Sequence, residues 1–159
     1  MTQEDKQLLL VDLCARLPYG VKLLVEGWDS DRDCKFDTVE TLIGIDDRFI
    51  YTIWDKTGDK DKHSIVEPLS ILDYKPYLRP MSSMTKEESV ELSNIISKWF
   101  DKELFHLTEE PFLEYALSRI NYTISPLLFD WLNAHHFDYR GLIEKGLALS
   151  TEEFNPYKD

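Results

Sequence analysis

A chain of 159 residues has about the length of one domain, and its 43% hydrophobic and 13% aromatic residues predict a folded core. The formal charge of −12 at pH 7 argues against direct DNA or RNA binding, because nucleic-acid phosphates favour clustered lysine and arginine. The amino terminus carries acids where a secretory signal carries bases, and no apolar run reaches the length of a membrane span. We therefore expect a soluble cytoplasmic protein that binds neither nucleic acid nor membrane.

The two cysteines are interpreted as free thiols. Cys14 and Cys34 occur singly, without the CxxC spacing or the accompanying histidines of a zinc site or redox pair. We expect both thiols to be buried, and we expect no metal or cofactor.

The chain begins with a predicted helix over about residues 3–17. Thr2 and Asp5 have the spacing of a capping box, which fixes the start. Apolar side chains at helical spacing predict its buried face, which consists of Leu10, Leu13, Cys14 and Leu17. Pro18 and Gly20 then end the helix and turn the chain.

Strands are predicted after this turn. Segments rich in β-branched and aromatic residues give three strands and a short fourth, at Val21–Trp28, Val39–Ile45, Arg48–Trp54 and about Ser64–Glu67. A short polar turn between the second and third strands indicates an antiparallel meander or a small barrel. The two prolines of residues 75–85 predict an extended connector.

The second half of the chain is predicted to be helical. Capping residues and apolar stripes indicate one helix at about residues 86–101, a second after Thr108 and a third from Pro126. The side chains expected in the core of the helices are Leu10, Leu13, Leu92, Ile96, Trp99, Leu128 and Trp131.

These elements predict an α+β fold with an N-terminal helix, a small antiparallel sheet and a helical C-terminal half. We expect one compact domain over residues 1–150 and a frayed tail at 151–159. Within the domain, the strand-rich part covers about residues 20–75, the connector 75–85 and the helical part 86–149.

Three blocks of the sequence resemble a known family. They read LCARLPYGVK at residues 13–22, KPYLRPMSSMT at residues 75–85 and NAHHFDYRGLIEKGLAL at residues 133–149, about a quarter of the chain. The blocks are similar to small uncharacterised proteins of gut Bacteroidales bacteria and of their phages and prophages. The resemblance implies a cytoplasmic protein in a phage or mobile-element setting, and it assigns no activity and no functional residue.

An acidic segment has the spacing of an EF-hand calcium loop. Oxygen-bearing side chains from Asp29 to Glu40 fall at five of the ligand positions. However, the position that needs glycine is Cys34, and both flanks are predicted strands, not helices. An acidic hairpin connection is the preferred interpretation, and a calcium loop is the alternative.

The candidate binding residues follow the helix that starts at Pro126, and they are His135, His136, Asp138, Tyr139 and Arg140. Neighbouring helical side chains point about 100° apart and no HExxH pattern occurs, so no metal site is predicted.

Each candidate also has an architectural interpretation. His135 is expected to continue the apolar stripe of its helix. Asp138 is expected to cap a short final helix by accepting from the N–H of Arg140 or Gly141, and Gly146 closes this helix. Tyrosine and arginine, as in Tyr139-Arg140, are residue types that anchor protein interfaces.

Two functions are open at this point. The sequence contains no nucleophile elbow, P-loop or dinucleotide fingerprint, so a non-catalytic protein-interaction module is favoured, either an adaptor or an inhibitor. Its partner and oligomeric state are unknown. The alternative is an enzyme of unrecognised type, with its site between sheet and helices, where His135, His136 and Asp138 meet carboxylates from the strand half. A deep pocket that holds a histidine with an acidic partner would favour the enzyme.

Overall fold

The computed structural model describes residues 1–29, 33–54, 64–68, 74–97 and 126–158. In chain order, its elements are α1 (Gln3–Arg16), a 3₁₀ helix (Leu17–Tyr19), β1 (Lys22–Asp29), β2 (Cys34–Ile45), β3 (Phe49–Trp54), β4 (Ser64–Pro68), β5 (Lys75–Leu78), a second 3₁₀ helix (Met81–Ser83), α2 (Lys86–Ser97), α3 (Pro126–Ala134) and β6 (Leu149–Ser150). The predicted α+β class, with a helix first and a mostly antiparallel sheet after it, is confirmed. No described helix is long and apolar enough to cross a membrane.

The described residues group into two compact units. The first consists of Met1–Met81 and Asn133–Asp159, and the second of Ser82–Leu132. The first unit holds α1 and the whole sheet, while the second holds α2 and most of α3. The chain therefore returns to the sheet after α3.

The sheet has the strand order β4-β3-β2-β1-β5-β6. Its first four strands form the predicted antiparallel meander, and the β1–β2 hairpin closes with Asp29 opposite Cys34. The β2–β3 register shifts between Leu42 and Gly44, which makes Ile43 the residue of a β-bulge. Strand β5 pairs antiparallel with β1, and the short β6 pairs parallel with β5.

The prediction of a connector from residue 75 is wrong for its first part. Lys75–Leu78 is strand β5, and three of its four side chains are buried. The prolines indicate extended backbone equally well in a connector and in a strand. The local sequence therefore could not distinguish the two.

The core of the first unit packs one face of the sheet against α1 and the C-terminal segment. Its buried residues are Leu9, Leu13, Val21, Leu23, Val25, Leu42, Ile50, Tyr74, Leu78, Leu142, Leu147 and Ala148. Residues from both ends of the chain thus share one core.

Helix α1 starts where predicted, but it buries a different face. Both capping-box bonds between Thr2 and Asp5 form, at 3.0 and 3.1 Å. The buried side chains are Leu9, Asp12, Leu13 and Arg16. Apolar periodicity did not identify this face because two of its residues, Asp12 and Arg16, are charged. They form an ion pair in the interior.

The prediction that both thiols are buried is wrong. Cys14 and Cys34 are both exposed. Cys14 points outward because the buried face of α1 passes through Asp12 and Arg16, and Cys34 lies at the start of β2 beside the β1–β2 connection.

The other described helices begin at the predicted residues. The Thr85–Glu88 capping box forms before α2, and α3 starts at Pro126. Of the core side chains predicted on helices, Leu13, Leu92, Ile96, Leu128 and Trp131 are buried and Leu10 is half-buried. Trp99 and the helix predicted after Thr108 lie outside the described residues.

The helical C-terminal half is confirmed only in part. Helix α3 ends at Ala134, and residues 135–148 form turns before β6. The short helix predicted from Asp138 to Gly146 is therefore wrong, although Gly146 does adopt the left-handed conformation, with φ 69°.

Candidate functional site

The five candidate residues lie in the turn that follows α3. The N–H of His136 donates to the carbonyl oxygen of Asn133 at 3.0 Å. His136 itself is left-handed, with φ 57°, a conformation that only a few per cent of non-glycine residues adopt. Because the helix has already ended, the prediction that His135 continues its stripe is wrong.

The turn is bonded to the end of β5. The N–H of Arg79 donates to the carbonyl oxygen of His136, and the N–H of Asp138 donates to that of Arg79, both at 2.8 Å. The guanidinium carbon of Arg79 lies 4.2 Å from the centroid of the Phe137 ring. The backbone of residues 136–138 thus extends the sheet beyond β5.

The carboxylate of Asp138 accepts hydrogen bonds from the backbone. Its two oxygens accept from the N–H groups of Leu142 and Ile143, each at 2.8 Å. The predicted donors, Arg140 and Gly141, are wrong because the chain forms a wider turn, with Gly141 at φ 69°, and not a helix. Hydrogen bonds to an ionised acceptor are strong, so this buried aspartate stabilises the turn.

Helix α1 supplies an ion pair to the same turn, which the sequence interpretation missed. Arg16 Nε lies 2.7 Å from Asp12 Oδ2, and Nη2 donates to Asp12 Oδ1 at 3.1 Å and to the carbonyl oxygen of Phe137 at 2.7 Å. Both side chains are fully buried. Their i, i+4 spacing is the sequence signal that could have identified the pair.

Tyr139 and Arg140 complete this arrangement. The guanidinium carbons of Arg140 and Arg16 lie 4.9 and 5.5 Å from the centroid of the Tyr139 ring. Its hydroxyl donates to Asn133 Oδ1 at 3.1 Å, and burial raises its pKa. Arg140 Nε lies 3.4 Å from Asp12 Oδ1. The expected interface pair is thus partly enclosed within the first unit.

His136 stacks on a tyrosine from the C-terminal segment. Its ring lies 4.0 Å from that of Tyr157, with 12° between the ring planes. Burial, followed by the charge of Arg16, lowers the pKa of His136 to about 4, so the ring is neutral at pH 7. Burial also raises the pKa of Tyr157.

The described part of the predicted frayed tail, residues 151–158, is bonded to the sheet, and Asp159 lies outside the described residues. The hydroxyl of Tyr157 donates to the carbonyl oxygen of Tyr77 at 2.9 Å and accepts from the N–H of Lys22 at 3.0 Å. The N–H of Thr151 donates to the carbonyl oxygen of Leu78 at 2.9 Å. Tyr157 and Thr151 thus bond this polar segment to the sheet.

Two members of the predicted acid–histidine constellation, His136 and Asp138, make their contacts elsewhere. His136 stacks on a tyrosine, His135 stacks on Phe137 with ring centroids 6.4 Å apart, and both oxygens of Asp138 accept from the backbone. Among the residues the structure describes, no group of three or more histidine, cysteine or acidic side chains is placed to hold a metal ion.

The EF-hand alternative fails on the geometry of β2. Residues 34–45 form one extended strand. At about 3.3 Å per residue, Asp33 and Glu40 are about 23 Å apart, whereas calcium ligands lie about 2.3–2.6 Å from the ion. The buried carboxylate of Glu40 instead accepts from the hydroxyls of Thr38 and Thr52. The hairpin of the preferred interpretation is confirmed, but its connection is shorter than predicted because β2 begins at Cys34 and not at Val39.

No protein-family model matches the chain, and comparisons with curated proteins and with solved structures give no match.

Proposed function

We propose that the protein is a non-catalytic cytoplasmic interaction module that binds a basic protein partner through the outer face of its sheet. The observation that carries the proposal is an apolar patch on this face, opposite the face that packs against α1.

The outer patch consists of Leu24, Val39, Ile43, Tyr51 and Ile53. Leu24 lies directly opposite Val39 in the β1–β2 register, and Ile53 lies opposite Thr41 in the β2–β3 register. Ile43 is 44% exposed, and the other four are half-buried. Contiguous apolar side chains at a surface are typical of protein–protein contacts.

Exposed carboxylates surround the patch. Glu26 and Asp37 lie directly opposite each other on β1 and β2, and both are exposed. Asp46 and Asp47 are exposed at the β2–β3 turn. Like charges directly opposite in an antiparallel pair destabilise a sheet. A partner with basic residues around an apolar anchor would offset this repulsion, in agreement with the charge of −12.

Two of the residues named for the alternative enzyme also support a non-catalytic role. Asp138 and His136 are engaged in contacts that hold the first unit together. The resemblance of the three sequence blocks to proteins of gut Bacteroidales and their phages adds a setting to the proposal. In that setting, an adaptor or inhibitor of a mobile element is the kind of protein we infer.

Two matched variants test the patch. Val11 on α1 is 43% exposed, almost the same as Ile43, and both belong to the first unit. The wild type, Ile43→Asp and Val11→Asp are used as baits in a lysate of the encoding organism, followed by mass spectrometry. We expect a stoichiometric basic partner on the wild type and on Val11→Asp, and its loss on Ile43→Asp. A partner that remains on Ile43→Asp, or the absence of any stoichiometric partner on the wild type, would contradict the proposal.

A further inference from the structure

A buried polar cluster in the first unit carries more positive than negative charge. The Arg16 cluster consists of Asp12, Arg16, His136, Tyr139 and Arg140. Asp12 is the carboxylate that both guanidinium groups approach, at 2.7 and 3.4 Å. Two arginines thus share one aspartate inside a protein whose overall charge is −12.

Three nitrogen atoms of this cluster are buried without a hydrogen bond among the described residues, and they are Arg16 Nη1, Arg140 Nε and His136 Nδ1. Arg140 Nε forms an ion pair with Asp12 at 3.4 Å, but the contact lacks hydrogen-bond geometry. Arg16 Nε and Nη2 both face Asp12, so the planar guanidinium directs Nη1 away from that carboxylate. Buried polar groups without partners are rare in folded proteins and each one requires an explanation.

A bound anion would explain both the nitrogen atoms without hydrogen bonds and the excess of positive charge. A water molecule could accept from one or two of these donors, but it would leave the second guanidinium without a counter-charge. An oxyanion accepts from several donors and neutralises that charge, and arginine is the residue best suited to carboxylate and phosphate groups. Burial is the main cause of the lowered pKa of His136, and the neighbouring charge of Arg16 lowers it further.

We propose that the Arg16 cluster binds a small oxyanion, a phosphate or carboxylate group, through Arg16, Arg140 and His136. The proposal is independent of the outer patch. Solvent reaches this cluster at Arg140, whose side chain is 21% exposed, and at the half-buried His136.

The test is a calorimetric titration of the full chain with inorganic phosphate, at an ionic strength held constant with potassium chloride. Arg140→Gln removes the more accessible guanidinium. Arg48→Gln is the matched control, because Arg48 belongs to the same unit and its side chain is 75% exposed. We expect phosphate to bind the wild type and Arg48→Gln equally, and Arg140→Gln at least about tenfold more weakly, as for a lost charged hydrogen bond.

Acetate is titrated in parallel, so that a site for carboxylates is distinguished from a site for phosphates. Nitrogen-15 NMR of histidine-labelled wild type gives a second readout that needs no variant, because anion binding should shift the Nδ1 resonance of His136. Equal affinity in all three proteins, or an unmoved Nδ1 resonance at saturating anion, would overturn the proposal. Failure of both anions to bind the wild type would overturn it as well.

Discussion

At the scale of single residues, Asp138 is a candidate binding residue whose side chain stabilises the turn after α3. It is almost fully buried, and each carboxylate oxygen accepts one backbone N–H, from Leu142 and from Ile143. A truncated side chain would leave two N–H groups in the interior without an acceptor, which costs free energy.

Substitutions of Asp138 are expected to form a graded series. Asp138→Ala loses both acceptors and should lower the free energy of unfolding by about 2–3 kcal/mol. Asp138→Asn keeps one oxygen and places an NH₂ group against the second N–H, so the loss should be smaller but measurable, about 1 kcal/mol. Urea denaturation measures both, with Asp47→Ala, 87% exposed, as the control that should be neutral. A fully stable Asp138→Asn would contradict the two-bond geometry.

His136 should make stability depend on pH. In the folded state burial lowers its pKa to about 4, while an unfolded chain has the ordinary value of 6.5. Below pH 6.5 the unfolded chain therefore binds a proton that the folded chain refuses. Above pH 6.5 the ring is neutral in both states and its titration contributes nothing. As the pH falls from 6.5 to about 4, the free energy of unfolding declines by on the order of 3 kcal/mol.

The measurement is urea denaturation between pH 7.5 and pH 4 for the wild type and for His136→Asn. Asparagine tolerates the left-handed backbone of this position but does not titrate. Subtracting the stability curve of His136→Asn from that of the wild type removes the contribution of the carboxylates, because they titrate in both proteins. The difference should fall between pH 6.5 and 4, and a difference that stays constant over this range would show that His136 is not held neutral.

At the scale of elements, α1 is a helix whose buried face includes an ion pair. Apolar periodicity placed this face on Leu10, Leu13 and Cys14, whereas the structure buries Asp12 and Arg16 beside Leu13. The start of the helix was predictable because the Thr2–Asp5 box is local. The buried face was not predictable from apolar periodicity, because it includes the charged pair Asp12 and Arg16. Arg16 also donates to the carbonyl oxygen of Phe137 in the turn after α3.

The ion pair should be more costly to break than to replace. Asp12→Leu leaves the Arg16 guanidinium buried without its counter-charge, and we expect a loss of about 3–5 kcal/mol. The double variant Asp12→Leu with Arg16→Met removes both charges, so it should be more stable than Asp12→Leu alone. Denaturation of the single and double variants gives the coupling. A double variant that is less stable than Asp12→Leu would indicate that Arg16 stabilises the fold mainly through Phe137.

At the scale of the whole molecule, the predictable features are those fixed by neighbours in sequence. The β2–β3 hairpin follows from a short polar connection between two apolar runs, and the two capping boxes gave the starts of α1 and α2. The start of β2 was placed too late because residues 34–38 are mostly polar. The pairing of Tyr77 with Leu149 and the bonds of Tyr157 to Lys22 and Tyr77 join distant parts of the chain. No local signal in a polar C-terminal segment predicts such contacts.

The same long-range contacts decide where a function can lie. They place His136, Asp138 and Tyr139 in the scaffold of the first unit, and the outer patch is the surface that we propose for a partner. Mutations in the scaffold and in the patch should therefore have different effects. Scaffold residues should change stability and leave binding of the protein partner to folded protein intact, while patch residues should weaken partner binding and leave stability unchanged.

The most direct test is the amount of partner retained per folded molecule by Asp138→Asn and by Ile43→Asp, measured beside the stability of each. We expect Asp138→Asn to be less stable and to retain the partner of the wild type, and Ile43→Asp to keep its stability and lose the partner. If Asp138→Asn keeps full stability and loses the partner, the partner contacts the turn after α3 and not the outer patch, and the account is wrong.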